Sequence, residues 1–161
     1  MAKNVVAPRT LSAEDTVRGQ LGRVFTVING NREEMLEAKN IEARINKNKI
    51  EMRVMGTLTT KHRGAGWTGT GSMTVYYTTS HFRRMAEQYA KDGIDTYFDM
   101  YLYNDDEGSN IGQQIIHLKR VNLNDITIFL QNIEDDILEE DMDFTFEDFT
   151  ILEDFRPIVG D

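Results

Sequence analysis

The chain has 161 residues, 40% hydrophobic and 28% charged, with 18 Lys and Arg against 27 Asp and Glu for a formal net charge of −9. One compact domain is expected at this length, wholesale disorder is excluded by the composition, and the acid excess disfavours a surface built to grip phosphate. With no cysteine, disulfides, thiolate metal sites and thiol catalysis are excluded, and a reducing compartment suits the chain.

Residues 1–20 lack periodicity and read as an N-terminal arm, mobile before assembly. Leu21–Ile28 reads as a strand, and Asn29-Gly30-Asn31 is a strong hairpin signal. Ile41, Ala43 and Ile45, then Ile50, Met52 and Val54, suggest two half-wet strands joined by a polar turn over 46–49. Five of the 12 glycines fall within residues 56–72, so 57–71 is expected to be a long glycine-rich loop that also holds Lys61, His62, Arg63 and Trp67. Residues 73–78 form a β-branched and aromatic strand. Thr79 or Ser80 then caps a helix over about 80–92 that carries Phe82, Met85, Ala86 and Tyr89 on one face, and Gly93 stops it.

Beyond the helix, strands are expected over 95–103, 113–121, 125–131 and 143–152, the last bent near Glu147-Asp148 where its apolar phase slips. The fold class is therefore mainly β: an antiparallel sandwich or partly closed barrel of about seven or eight strands with one flanking helix. The domain spans 21–156, and 157–161 form a C-terminal tail.

Three of these strands carry apolar residues on both faces. Tyr97, Tyr101 and Tyr103 oppose Phe98, Met100 and Leu102. Ile126, Ile128 and Leu130 oppose Phe129, and Met73, Val75 and Tyr77 oppose Tyr76. A helix of ~13 residues is only ~20 Å long and cannot cover them all, so the second faces point to contact with other copies of the chain.

Signatures of chemistry are missing. His62, His81 and His117 have no ligand spacing, so no metal is assigned. Gly64-Ala65-Gly66-Trp67-Thr68-Gly69 fits a phosphate-loop string but runs from strand to strand rather than into a helix, so no nucleotide cofactor is assigned either. The acidic stretch 134–143 lacks EF-hand spacing and reads as a solvated face or a subunit contact. No catalytic residue, and no enzyme activity, is expected. No apolar run is long enough to span a bilayer, and the start lacks a signal-peptide core, which points to synthesis in the cytoplasm without export by that route.

Four stretches carry a family resemblance: Gly22-Arg23-Val24-Phe25 through Ile28-Asn29-Gly30; Ile41-Glu42-Ala43 with Lys47-Asn48-Lys49 and Val54-Met55-Gly56; Gly69 to Tyr77 with Thr79-Ser80 and Phe82-Arg83; and Val121-Asn122-Leu123 with Asp143 to Phe149. In their order and spacing the chain resembles the tail-tube proteins of contractile-tailed bacteriophages and related defective prophage particles. The resemblance implies a β-sandwich or barrel with a flanking helix, a virion location after synthesis in the host bacterium, and hexameric rings stacked into a tube. It implies partners too: the chain itself, a sheath, and terminator and baseplate proteins, with DNA passing through the bore without specific binding. The same fold serves the inner tubes of contractile bacteriocins and type VI secretion systems, which stays open as an alternative, as does a non-viral β-barrel binding module.

Under that resemblance the loop 57–71 is a contact between rings or subunits that orders on assembly. Lys61, His62, Arg63 and Trp67 are its contact groups, and Tyr97, Tyr101, Tyr103 and Phe129 are contacts on the second strand faces. Residues 1–90 hold 14 basic and 8 acidic groups and residues 91–161 hold 4 and 19, so the two halves are expected to offer complementary surfaces for stacking.

Overall fold

The computed structural model describes residues 10–35 and 37–158. Eight strands run in chain order as β1 (Gly22–Ile28), β2 (Asn31–Glu34), β3 (Ala38–Met52), β4 (Lys61–Tyr76), β5 (Phe98–Asp105), β6 (Gln113–Leu123), β7 (Glu139–Phe146) and β8 (Asp148–Glu153), with one helix, α1 (His81–Asp92), between β4 and β5. All pairings are antiparallel, in the order β2-β1-β5-β6-β7-β4-β3, with β8 on β6. The sheet folds over on itself and stays open. β6 pairs with β5 and β8 along most of its length, but its last residues, Asn122 and Leu123, cross to pair with Thr145 and Phe144 of β7.

Local chemistry sets these corners. Asn29 (φ 53°) and Gly30 (φ 82°) close the β1–β2 hairpin in the left-handed conformations that this Asn-Gly pair tolerates. Arg120 (φ 53°) sits where the β5–β6 register slips and β6 turns from one leaf toward the other. β7 and β8 are one acidic strand broken at Glu147, whose N–H donates to the Lys119 carbonyl at 3.1 Å. This is the bend expected from the phase slip, and it lets Phe144 and Phe146 serve one leaf while Phe149 packs from the other.

Between the leaves lie Val24, Met35, Met73, Val75, Phe98, Met100, Leu118, Val121, Met142, Phe144 and Phe146, joined by Phe82 of α1. The helix has the expected bounds. The N–H of His81 donates to Thr79 Oγ1 at 3.3 Å, and Gly93 (φ 68°) ends it with its N–H on the Tyr89 carbonyl.

Four expectations fail. Residues 46–49 are not a turn: β3 runs unbroken from Ala38 to Met52, with a bulge where Lys47 pairs with Trp67 and Lys49 with Gly64. Both faces of this stretch meet solvent, so its polarity marks exposure rather than a reversal. The glycine-rich loop 57–71 is likewise mostly strand, and the reversal lies within 53–60, where Gly56 has φ 87°. Gly69 and Gly71 are needed for closeness, because a Cβ there would enter the rings of Phe146 and Phe144.

Residues 125–131, expected as a strand, have no regular structure. They alternate like a strand but pair with no other strand. Instead the Asn124 N–H donates to the Asp143 carbonyl and Arg83 to the Thr127 carbonyl. The charge halves of the sequence are not halves of the molecule either: β1 pairs with β5, and β4 with β7.

Part of the expected N-terminal arm is docked. Single 3-10 turns form at Ala13–Asp15 and Gly19–Leu21. Arg18 grips both oxygens of Asp106 (2.8 and 3.1 Å), and the Asn110 side-chain amide donates to Asp15 Oδ1 at 3.1 Å. Residues 1–9 of that arm, and 159–161 of the C-terminal tail, lie outside the described residues.

Candidate functional site: an assembly interface

The β3–β4 hairpin is much longer than the sheet it belongs to. β4 pairs with β7 only from Gly69 onward, so Lys61–Thr68 pair with β3 alone. Eight residues of strand project ~26 Å. On this ribbon Ile50 pairs with Arg63 and Met52 with Lys61, so apolar and basic groups interleave, and Met55 and Leu58 stand almost fully exposed in the connecting turn. Lys61, His62 and Arg63, proposed from sequence as contact groups, all lie exposed on it.

Trp67 differs from those three. It is at the base of the ribbon, its ring 5.9 Å from that of Phe149 and 6.1 Å from that of Phe146. It anchors the ribbon to β7 and β8, with an outer edge left exposed.

A second surface covers the outer face of the β1–β5–β6 leaf. Register places Phe25, Tyr101 and His117 in a row. The Tyr101 and His117 rings stack at 4.2 Å, and His117 Nε2 lies 3.1 Å from Asp99 Oδ2. Arg32 of β2 lies over Phe25 and Tyr101 and donates to the Tyr103 hydroxyl at 2.9 Å. Tyr97 sits under Arg120, 4.2 Å from its guanidinium carbon. These aromatics lie under the Arg32 and Arg120 guanidinium groups.

A third surface is the irregular segment 124–138. Ile126 packs on the core, but Ile128, Phe129, Ile133 and Ile137 are all exposed, Ile133 by 96%. The expected contact residues thus fall in three places: Lys61, His62, Arg63 and Trp67 on the ribbon, Tyr97, Tyr101 and Tyr103 on the outer leaf, and Phe129 on this segment. Sequence reasoning assigns no contact role to Ile50, Met52, Met55, Leu58, Ile133 or Ile137, all of which are exposed. Their signal is there, as apolar residues set singly into polar runs where no core face can take them.

Beneath the third surface is a buried ion pair. Glu140 has no exposed side-chain surface, and Arg83 donates to its Oε2 at 2.9 Å. Burial pushes the Glu140 carboxyl above its ordinary value, with Arg83 acting in the opposite direction. Among the described residues no group of three or more His, Asp or Glu is placed to hold a metal, and no helix is long and apolar enough to cross a membrane.

An open antiparallel sandwich with an uncovered ribbon and aromatic outer faces is the body of a building block. Residues 9–153 match the phage tail tube protein family, and the chain belongs to that family. It is a structural tail protein, not an enzyme, and its place is a virion or a prophage-derived particle. Membership also displaces the alternative of a non-viral binding module.

The chain is 38% identical over 143 residues to the phage-like element PBSX protein XkdM of Bacillus subtilis (strain 168), across 89% of this chain and 95% of that one. Its fold is similar to a chain in the structure of the anti-feeding prophage cap, with TM-score 0.64, 12% identity, and 94% and 98% of the two chains covered. It is also similar to a chain in the extended sheath-tube complex of the extracellular contractile injection system PVC, with TM-score 0.62, 8% identity, and 86% and 93% covered.

Proposed function

We propose that the chain forms hexameric rings that stack into the inner tube of a contractile tail. The observation that carries this reading is the bare ribbon: a two-stranded arm with apolar groups on it is unstable as a free surface and gains cover from a neighbouring copy. The aromatic outer leaf supplies a second contact. A sheath surrounds the tube, terminator and baseplate proteins close its ends, and the similarity to chains of a tube cap and of a sheath-tube complex supports these partners.

DNA passes down the bore of such a tube. The net charge of −9 favours passage without adhesion, because carboxylates repel phosphate. A second reading keeps the tube and changes its setting: the likeness to a chain of an extracellular contractile injection system favours the inner tube of a contractile bacteriocin or type VI-like secretion system.

Negative-stain microscopy of the purified chain across a concentration series tests the tube. Rings and then tubes with a central hole are expected as concentration rises. A monodisperse monomer at every concentration overturns the reading.

A further inference from the structure

The ribbon and the segment 125–138 both carry strongly exposed apolar residues, Met55 and Leu58 on the one and Phe129, Ile133 and Ile137 on the other, and they carry opposite charge. Residues 46–68 hold five basic groups (Lys47, Lys49, Arg53, Lys61 and Arg63) against Glu51 alone, whereas 125–138 hold Asp125, Glu134, Asp135 and Asp136 and no base. They also lie toward opposite ends of β4. The ribbon leaves the sheet at Gly69, while Tyr76 pairs with Glu139 and the Tyr77 N–H donates to the Leu138 carbonyl. The sixteen residues of β4 span ~50 Å of strand, so the ribbon tip cannot fold back onto 133–138 of its own chain.

We propose that the ribbon of one subunit docks on residues 125–138 of a second copy, Met55 and Leu58 meeting the exposed Ile133 and Ile137 while Lys61 and Arg63 face Glu134, Asp135 and Asp136. This rests on the reading that the chain builds a tube, and it names the surface that receives the ribbon. A contact between unlike ends of identical subunits is heterologous, so it propagates and gives the open filament that a stack of rings requires.

The receiving segment is fixed before docking. Arg83 donates to the Thr127 carbonyl at 3.3 Å, and Asn132 closes the turn before the acidic run by accepting the Glu134 N–H at 3.1 Å. The backbone that carries the acidic residues is therefore held in place, and the Asp135 carboxylate accepts from the Asn132 side-chain amide at 3.2 Å, so the ordering cost of association is reduced.

Because the chain has no cysteine, the pairing can be trapped directly. The double variant Leu58→Cys/Ile133→Cys, oxidised under tube-forming conditions, is expected to give a ladder of covalent oligomers. Each single variant gives dimers at most, and a double variant that also stops at dimers overturns the pairing. Charge exchange provides an independent arm. Lys61→Glu/Arg63→Glu, and separately Glu134→Lys/Asp135→Lys/Asp136→Lys, should each raise the critical concentration for tubes by more than ~10-fold, and mixing the two variants should restore contacts between unlike partners.

All five exchanged residues are exposed, and an unchanged melting temperature verifies that each variant folds. If the unsubstituted chain forms no tubes, the tube reading itself falls. If it does, and the acidic-side variant polymerises normally, the tube stands and this pairing is overturned.

Discussion

Arg83 ties three elements at one point. Its guanidinium donates to the Glu140 carboxylate and to the Thr127 and Thr79 carbonyls, and lies 4.2 Å over the Tyr77 ring. Glu140 Oε1 has no partner among the described residues, so Arg83 is the chief compensation for a buried charge. Arg83→Met keeps the length and removes the cation. It should cost about 3–5 kcal/mol at neutral pH, the usual consequence of stranding a buried carboxylate. Since the native state holds the Glu140 proton more tightly than the unfolded chain does, stability contributed at this site is present at low pH and lost as pH rises through the native value. The deficit of the variant should therefore shrink as pH approaches the ordinary carboxylate range, a change that urea unfolding at neutral and at acidic pH measures; a deficit independent of pH would refute it. Gly71→Ala isolates a different effect. In an open strand Ala is favoured over Gly, so a loss of about 1–3 kcal/mol reports the collision with the Phe144 ring and the Glu42 carbonyl. Neither residue's role was legible in the sequence. Glu140 sits in an acidic run with nothing to separate it from its exposed neighbours, its partner is 57 positions away, and the glycine was readable only as flexibility.

Among the elements, helix and hairpins differ in how they are written. The β1–β2 turn and α1 have signals inside their own residues: an Asn-Gly pair, a threonine cap, a glycine stop. The ribbon has none, because a two-stranded projection is wet on both faces and lacks the alternation that a half-buried strand shows. Its anchoring makes a clean distinction possible. Trp67→Ala removes the contacts with Phe146 and Phe149 and should lower stability by about 1–2 kcal/mol, because the ring is only partly buried. Replacing 48–65 by a short turn removes no residue of the core and should leave the melting temperature nearly unchanged. Both variants should fail to form tubes, but only the second separates assembly from folding, as paired calorimetry and microscopy will show. The docked segment 12–21 is tested through Asp106, whose carboxyl is held well below the usual range chiefly by its hydrogen bonds from Arg18. Stability from a depressed carboxyl is present above the unfolded value and lost as pH falls through the native one. Protease cleavage within 12–21 should thus stay slow at neutral and mildly acidic pH and accelerate only in strong acid, and Asp106→Asn should accelerate it already at neutral pH and remove that pH dependence.

At the scale of the whole molecule the uneven charge takes a different form from the one the sequence suggests. The strand order interleaves early and late residues, so a basic half and an acidic half do not exist as faces of the sandwich. What survives is confined to the two elements that leave the sheet, the ribbon and the segment before β7, where no strand from the other half of the chain pairs alongside to dilute the charge. Contacts of this kind act at a distance set by screening. The Debye length falls from ~20 Å at 20 mM salt to ~4 Å at 500 mM. The ion pairs within the subunit contribute little if exposed, and the buried pair is shielded from ions, so the fold itself should change little in stability over this range. Tube growth should not. If opposed charges steer the ribbon to its partner, elongation followed by light scattering slows markedly between those salt concentrations while the melting temperature of the dilute subunit holds. Elongation that quickens with salt would instead assign stacking to the apolar groups alone, and the four carboxylates of 125–138 would have no part in it.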